Sequence, residues 1–161
     1  MPQQMIVNEW LLCAHPVFMT EYKRLIAEVE MLHNKNPENY KTKKSTKILA
    51  AIQKLILEEI PSDPSLPKYR QGDTLGEEHK HWFRAKFFQQ YRLFFRFHKE
   101  SKIIVFAWVN DEDTKRAYSS KTDAYEVFRK MLNKGNPPSD WDALLQEAKS
   151  IQTEFSSYHS E

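Results

Sequence analysis

Glycine occurs three times and cysteine once in this chain of 161 residues, and each scarcity closes off a class of chemistry. Three glycines cannot furnish the phosphate-cradling loops of P-loop or dinucleotide-binding proteins, so kinase-like and dehydrogenase-like functions are set aside. A lone Cys13 permits neither an intrachain disulfide nor a thiolate zinc cluster. That fits a reducing compartment, and the expected role of Cys13 is a small buried thiol. No stretch approaches the roughly 20 apolar residues that span a bilayer, and the N-terminus lacks a basic segment leading into an apolar run. A cytoplasmic protein without membrane contact is expected. No internal repeat is visible.

The most informative absence is local. Between Glu78 and Glu100 twenty-one residues pass without a carboxylate. Residues 79–102 carry seven Lys or Arg against Glu100 alone, whereas residues 139–161 carry five carboxylates against Lys149, so a net charge of +2 conceals two opposed regions. Local charge is the guide to a partner, and a cationic, acid-free surface suggests a phosphate-rich one. With 40% hydrophobic residues the chain can bury one core but is short for two. One domain over residues 1–150 is expected, with a polar, frayed tail over 151–161.

Residues 6–14 read as a first strand. Pro16 then opens a helix with Phe18, Tyr22, Leu25, Val29 and Leu32 on one stripe. Asn34 to Pro37 breaks it, and a second helix starts near residues 42–45, carries Ile48, Ile52, Leu55, Ile56 and Ile60, and stops at Pro61. A Pro-containing loop leads to three strands near 81–88, 91–98 and 103–110, a β-meander whose apolar last strand belongs at the centre of the sheet. Residues 111–121 are polar and irregular. Asp123 and Glu126 resemble a capping box for a third helix with Ala124, Val127, Phe128, Met131 and Leu132, which ends at Gly135. A short helix capped by Ser139 follows Pro137 and Pro138. The fold class is α+β.

Strand alternation places Phe83, Ala85, Phe87, Tyr91, Leu93, Phe95 and Phe97 on a core face. It places Trp82, Arg84, Lys86, Arg92, Phe94, Arg96 and His98 on the other. Arginine forks match phosphate oxygens, and several around one phosphodiester could bind it and stabilise charge that develops on attack at phosphorus. Trp82, Phe94 and His98 between those cations suit a stacking platform for unpaired bases, although Trp82 could as well pack beneath the third helix or the Pro-rich loop, which is the expected place of Phe94. His79, His81 and His98 invite a metal reading, but a nuclease ion needs acidic ligands and Asp111, Glu112 and Asp113 read as a solvated turn. Asn110, Arg116, Tyr118, Lys121 and Tyr125 follow the central strand, where a rigid sheet can present reactive groups.

These elements, in the order strand, helix, helix, meander, helix, resemble the RelE/ParE toxin superfamily. Five runs resemble its YhaV branch: NEWLLCAHPVF at 8–18, NPENYKTKKSTKILA at 36–50, QQYRLFFRF at 89–97, WVNDEDTKRAYSSKTDAYEVFRKML at 108–132 and NPPSDW at 136–141. The resemblance implies a RelE-like fold and the toxin of a type II toxin–antitoxin pair. Such a toxin is a ribosome-associated endoribonuclease that cleaves mRNA, halts translation and growth, and is neutralised by a PrlF-type antitoxin, through which operator DNA could also be reached. It places a basic strand pair on Arg84 and Lys86, the arginine of a Tyr-Arg motif on Arg92, a basic group on Arg116, and a tyrosine on Tyr125 or Tyr118. Gln89 and Gln90 stand where relatives often have glycine.

The chemistry implied needs no cofactor and no metal: the RNA's own 2′-hydroxyl attacks the neighbouring phosphorus. Arg84 and Arg92 would hold the phosphate, Lys86 is the candidate base, Arg116 would assist at the phosphate or leaving oxygen, and Tyr125 would stack on a base or orient the sugar. Trp82, Arg96, His98, Asn110 and Lys121 would contact substrate. Two alternatives stand beside it: RNA or ribosome binding without cleavage, and a ParE-like toxin directed at gyrase.

Overall fold

The computed structural model describes residues 4–117 and 120–159. Five strands form one mixed sheet in the order β1(Ile6–Val7), β2(Trp10–Ala14), β5(Ile103–Val109), β4(Tyr91–His98), β3(Phe83–Phe87). Every neighbouring pair is antiparallel except β2 and β5, which run parallel with Cys13 opposite Val105. All seven residues of β5 are buried, as its apolar run and central place require. The α+β architecture agrees with the RelE-like fold implied by the sequence.

The expected first strand is a hairpin. Asn8 and Glu9 both take positive φ, at 51° and 72°, and form a two-residue turn between Val7 and Trp10. Paired left-handed residues match the twist of the flanking strands, and the Asn8 amide donates to the carbonyl of Pro61 at 3.0 Å.

One sheet face is covered by α1(Pro16–Lys35) and α2(Lys44–Lys54). Phe18, Tyr22 and Leu25 from α1 and Ile48 and Ile52 from α2 pack with Leu12, Leu93, Phe95, Ile104 and Phe106. The second helix ends one residue past the expected Pro61, at Ser62. It widens into a π-helical stretch at Leu55–Glu59 and continues as α3(Ile60–Ser62). His15 caps α1, its Nδ1 accepting from the Val17 amide at 3.0 Å.

The opposite face lies under α4(Ala124–Asn133) and α5(Trp141–Lys149). Phe128, Leu132, Leu144 and Ala148 meet Cys13, Trp82, Phe94, Val105 and Trp108 there. Burial raises the Cys13 thiol to about 11, in keeping with an inert packing role. Where Phe94 pairs with Trp108 but Phe95 pairs with Phe106, Ala107 forms a bulge. The extra residue resets the alternation, so that Val105, Ala107 and Trp108 all join the α4 side while Val109 joins the α1 side.

Two helix starts differ from expectation. The Asp123 carboxylate does accept from Tyr125 and Glu126 amides, but Glu126 turns to Arg129 instead of completing a capping box. The cap of α5 is Asp140, whose side chain accepts from the Ala143 amide, because Ser139 is engaged elsewhere. The chain beyond residue 150 is not frayed over its described part. Gln152–Ser157 forms α6, in which Phe155 is fully buried and Gln152 Nε2 donates to the Leu12 carbonyl at 3.0 Å. A single large ring was enough to dock a segment whose composition is otherwise polar. No helix among the described residues is long and apolar enough to cross a membrane.

Candidate active site

The hairpin β3–β4 carries most of the site. Lys86 stands opposite Arg92, and Arg84 stands opposite Phe94, so these side chains share the face that α4 covers in part. The first turn of α4 brings Tyr125 to them. Arg84 donates from Nε to the Tyr125 hydroxyl at 2.8 Å, and Arg92 donates from Nε to the same oxygen at 3.1 Å. Backbone carbonyls hold the guanidinium groups from behind. Arg84 Nη1 donates to Lys68 O at 2.7 Å, and Arg92 Nη1 donates to Gln89 O at 2.7 Å and Tyr91 O at 2.9 Å. The outer Nη2 groups of both make no hydrogen bond among the described residues.

Arg116 completes the group from the loop after β5. Its guanidinium lies 4.5 Å from the centre of the Tyr125 ring, and its Nη1 meets Asp123 Oδ1 at 2.8 Å. Asp123 is buried, and the same carboxylate accepts from the Ala117 amide at 2.6 Å and from Tyr125 and Glu126 amides. One acidic side chain therefore caps the helix that bears Tyr125 and anchors the arginine that covers its ring. The loop itself is fixed at Glu112, which is held down to about 2 by hydrogen bonds from Lys115, Lys44 and Tyr91. Tyr91, in turn, is pushed up to about 12 by burial and by that carboxylate.

Phe88, Gln89 and Gln90 form the tip of the hairpin, with positive φ of 45° at Phe88 and 62° at Gln89. No glycine is needed for this turn, although left-handed backbone costs a side-chain-bearing residue about 1–2 kcal/mol. The turn aims Gln89 O at Arg92 and Gln90 O at the Arg116 amide, 2.8 Å away. Lys86 is exposed and makes no ion pair among the described residues.

Other sequence candidates lie elsewhere. Trp82 is fully buried, with its ring 5.1 Å from that of Phe128 and its Nε1 donating to Ser139 Oγ at 3.0 Å. It packs beneath α4 and offers no stacking surface. Phe94 is likewise buried between Trp108 and Phe128. Arg96 is held between Trp82 and Trp141 and donates to Ser139 O, and burial lowers it to about 10. It is four residues along β4 from Arg92, about 13 Å of strand, and serves to clamp the start of α5. His98 is farther along, stacked on Trp141. Asn110 is buried, its oxygen accepting from the Arg92 amide and its nitrogen donating to Gln90 O and Thr114 O. It braces the site, with both amide hydrogens committed to the protein's own carbonyls. Lys121 is exposed and lines a cleft of about 360 Å³ with Arg116, Tyr125, Asp123, Glu126, Thr74 and Ser120. Tyr118, the alternative to Tyr125, lies outside the described residues.

His79 and His81 share Ser139 Oγ, each at 3.1 Å. Among the described residues no three His, Cys, Asp or Glu side chains gather as a metal site would require. Sequence reasoning assigned Asp123 to capping alone and missed its grip on Arg116. It also missed the carbonyls of Lys68 and Gln89, which no residue type could have signalled.

A family model described as a toxin with endonuclease activity, of a toxin–antitoxin system, matches residues 12–149. Over 145 residues, 89% of this chain and 94% of the relative, the sequence is 51% identical to the Toxin YhaV of Escherichia coli O6:H1. Over the same length it is 50% identical to the Ribonuclease toxin YhaV of Escherichia coli K12, again covering 89% and 94%. No solved structure matches at a comparable level of significance. With three cations gathered on one tyrosine inside the matched region, the chain belongs to the YhaV family, the toxins with endonuclease activity of toxin–antitoxin systems.

Proposed function

We propose that this toxin is an endoribonuclease that cleaves by attack of the RNA's own 2′-hydroxyl, and that Arg84, Arg92, Lys86, Arg116 and Tyr125 form its active site. The observation that carries the reading is the shared hold of Arg84 and Arg92 on the Tyr125 hydroxyl, with neither Nη2 hydrogen-bonded among the described residues. Two guanidinium groups held on one hydroxyl, with Arg92 itself buried, would bind one phosphodiester with little reorganisation at the moment of reaction. The name of the K12 relative, a ribonuclease toxin, supports RNA as the substrate.

In the proposed reaction the 2′-oxygen bonds to phosphorus as the bond to the 5′-oxygen breaks, leaving a 2′,3′-cyclic phosphate and a new 5′-hydroxyl end. Arg84 and Arg92 stabilise the added charge on the non-bridging oxygens. Lys86, across the strand pair from Arg92, is the candidate base for the proton of the 2′-hydroxyl. Arg116 stabilises charge on the leaving 5′-oxygen, which takes its proton from solvent, while Tyr125 keeps the two strand arginines in register.

The biological setting we propose with it is a toxin that acts on mRNA in the cytoplasm, associates with the ribosome, arrests translation and growth, and is neutralised by a PrlF-type antitoxin. Operator DNA would be met through that antitoxin.

Purified protein incubated with RNA in EDTA is expected to yield new 5′-hydroxyl ends, with a strand carrying a single 2′-deoxy residue at the cleaved position left intact. Arg84→Ala should abolish the products while the melting temperature is retained. Retardation of RNA without new ends, or loss of cleavage in EDTA, would overturn the chemistry.

A further inference from the structure

Phe88 is 53% exposed, an unusual state for a phenylalanine that sits beside a polar site. It holds the first position of the hairpin tip with φ of 45°, a conformation that a bulky side chain adopts at a cost. The same tip supplies Gln89 O to Arg92 and Gln90 O to the Arg116 amide, so the ring is attached to the backbone that orders two arginines of the cluster. Lys86 is two residues away and exposed. A contact edge-on with Phe87, centroids 5.7 Å apart, leaves the ring open to solvent. An exposed aromatic ring on left-handed backbone, two residues from exposed Lys86 and on the turn whose carbonyls order Arg92 and Arg116, has the features of a base-stacking residue.

From these observations we infer that Phe88 stacks on an unpaired nucleobase of the RNA strand gripped by Arg84 and Arg92. This takes over the role that strand periodicity suggested for Trp82, which is buried. The inference rests on the ribonuclease reading and adds the residue that splays a base away from its neighbours. Stacking of this kind tolerates any base, because each has a π-face. It also adds affinity that does not fall with salt, unlike the contribution of Lys86.

The probe is a short single-stranded oligoribonucleotide, 2′-O-methylated to block cleavage and carrying 2-aminopurine as a stacking reporter. Phe88→Gly is the decisive variant, since it removes the ring while relieving the left-handed backbone, so its melting temperature should equal or exceed the parent's. Its affinity for the probe should fall by about 5- to 150-fold, the worth of one stacked base, and the fluorescence quench should vanish. Phe88→Trp should restore both, whereas Phe88→Leu should not, which separates π-stacking from apolar contact. On a cleavable strand KM should rise more than kcat falls. Parent-like affinity and quench in Phe88→Gly would overturn the inference. If the parent itself neither binds nor cuts RNA, the ribonuclease reading has failed instead.

Discussion

Arg84 and Arg92, on adjacent strands, place their Nε donors 2.8 and 3.1 Å from the single phenolic oxygen of Tyr125. The tyrosine is thus the spacer that sets the distance between two guanidinium groups, and its hydroxyl has a different task from its ring. Tyr125→Phe isolates the first. The ring and its stack with Arg116 remain, but both arginines lose an acceptor. A hydrogen bond to a charged group is worth about 1.5–3 kcal/mol, so kcat/KM for RNA cleavage should fall by about 10- to 100-fold. The fold should survive, since Phe94 and Phe128 still pack against the ring's neighbourhood. Steady-state cleavage assays and a melting curve check both halves. Unchanged cleavage would show that the arginines are positioned by their carbonyl contacts alone.

Asp123 has two oxygens and two duties. Oδ2 caps α4, while Oδ1 receives the Ala117 amide and the Arg116 guanidinium. Asparagine is as good a helix cap as aspartate but has one oxygen, so Asp123→Asn can meet one duty and must abandon the other. The expected result is a helix that persists by circular dichroism, with cleavage reduced because Arg116 is released from the Tyr125 ring. Asp123→Ala loses the cap as well and should be less stable than Asp123→Asn by about 1 kcal/mol. Denaturant melts of the two variants measure that difference.

How far the chain could be read without coordinates depends on where each signal resides. The α1 stripe, the three strands and the central place of β5 are written in local periodicity, and so is the sharing of one sheet face by Arg84, Lys86 and Arg92. Periodicity cannot say what lies above a face. Trp82 and Arg96 alternate as faithfully as Arg84, yet α4 and α5 cover one end of the sheet and leave the other open. The Asn8–Glu9 turn was hidden because neither residue is glycine, whereas the turn before Tyr91 was legible and only its left-handed backbone at Phe88 and Gln89 was not. Ser139 looked like a cap from sequence position, but three side chains of the preceding segment claim its hydroxyl. Tertiary contacts made those choices, and a one-dimensional pattern does not contain them.

Acid should destabilise the protein in two separate stages. His15, His81 and His159 all lie below the ordinary value of 6.5, chiefly because burial disfavours their charged forms. The groups facing them act in both directions: Glu147 opposes the shift at His15, whereas Arg96 and His79 reinforce it at His81. With folded values depressed, the unfolded chain takes up protons first. Stability is therefore full above about pH 6.5 and declines as the pH falls through that value. Glu112 and Asp63, both lowered by hydrogen-bond donors, add a second decline that begins as the pH falls through the usual carboxylate values. Melting temperature measured from pH 8 to pH 4 should be flat, then fall from about 6.5 downward. A curve flat to pH 5 would contradict the desolvation of these imidazoles, above all that of buried His15.

The C-terminal segment offers the sharpest test of packing. Its composition is polar, yet Phe155 is completely buried and joins the core made by α1 and the sheet. Around it Gln152 donates to Leu12 O, and His159 pairs with the Tyr22 hydroxyl at 2.7 Å. Polar contacts of this kind contribute about 1 kcal/mol each, whereas truncating a buried phenylalanine costs about 3–5 kcal/mol. The ring, then, and not the hydrogen bonds, should hold α6 in place. Phe155→Ala is expected to lower unfolding free energy by that amount, and Gln152→Ala by no more than about 1–2 kcal/mol. Hydrogen exchange should show the amides of residues 152–157 exposed in Phe155→Ala at a denaturant concentration where β4 and β5 remain protected. A loss below about 1 kcal/mol for Phe155→Ala would mean that the helix is docked too weakly to count as part of the core.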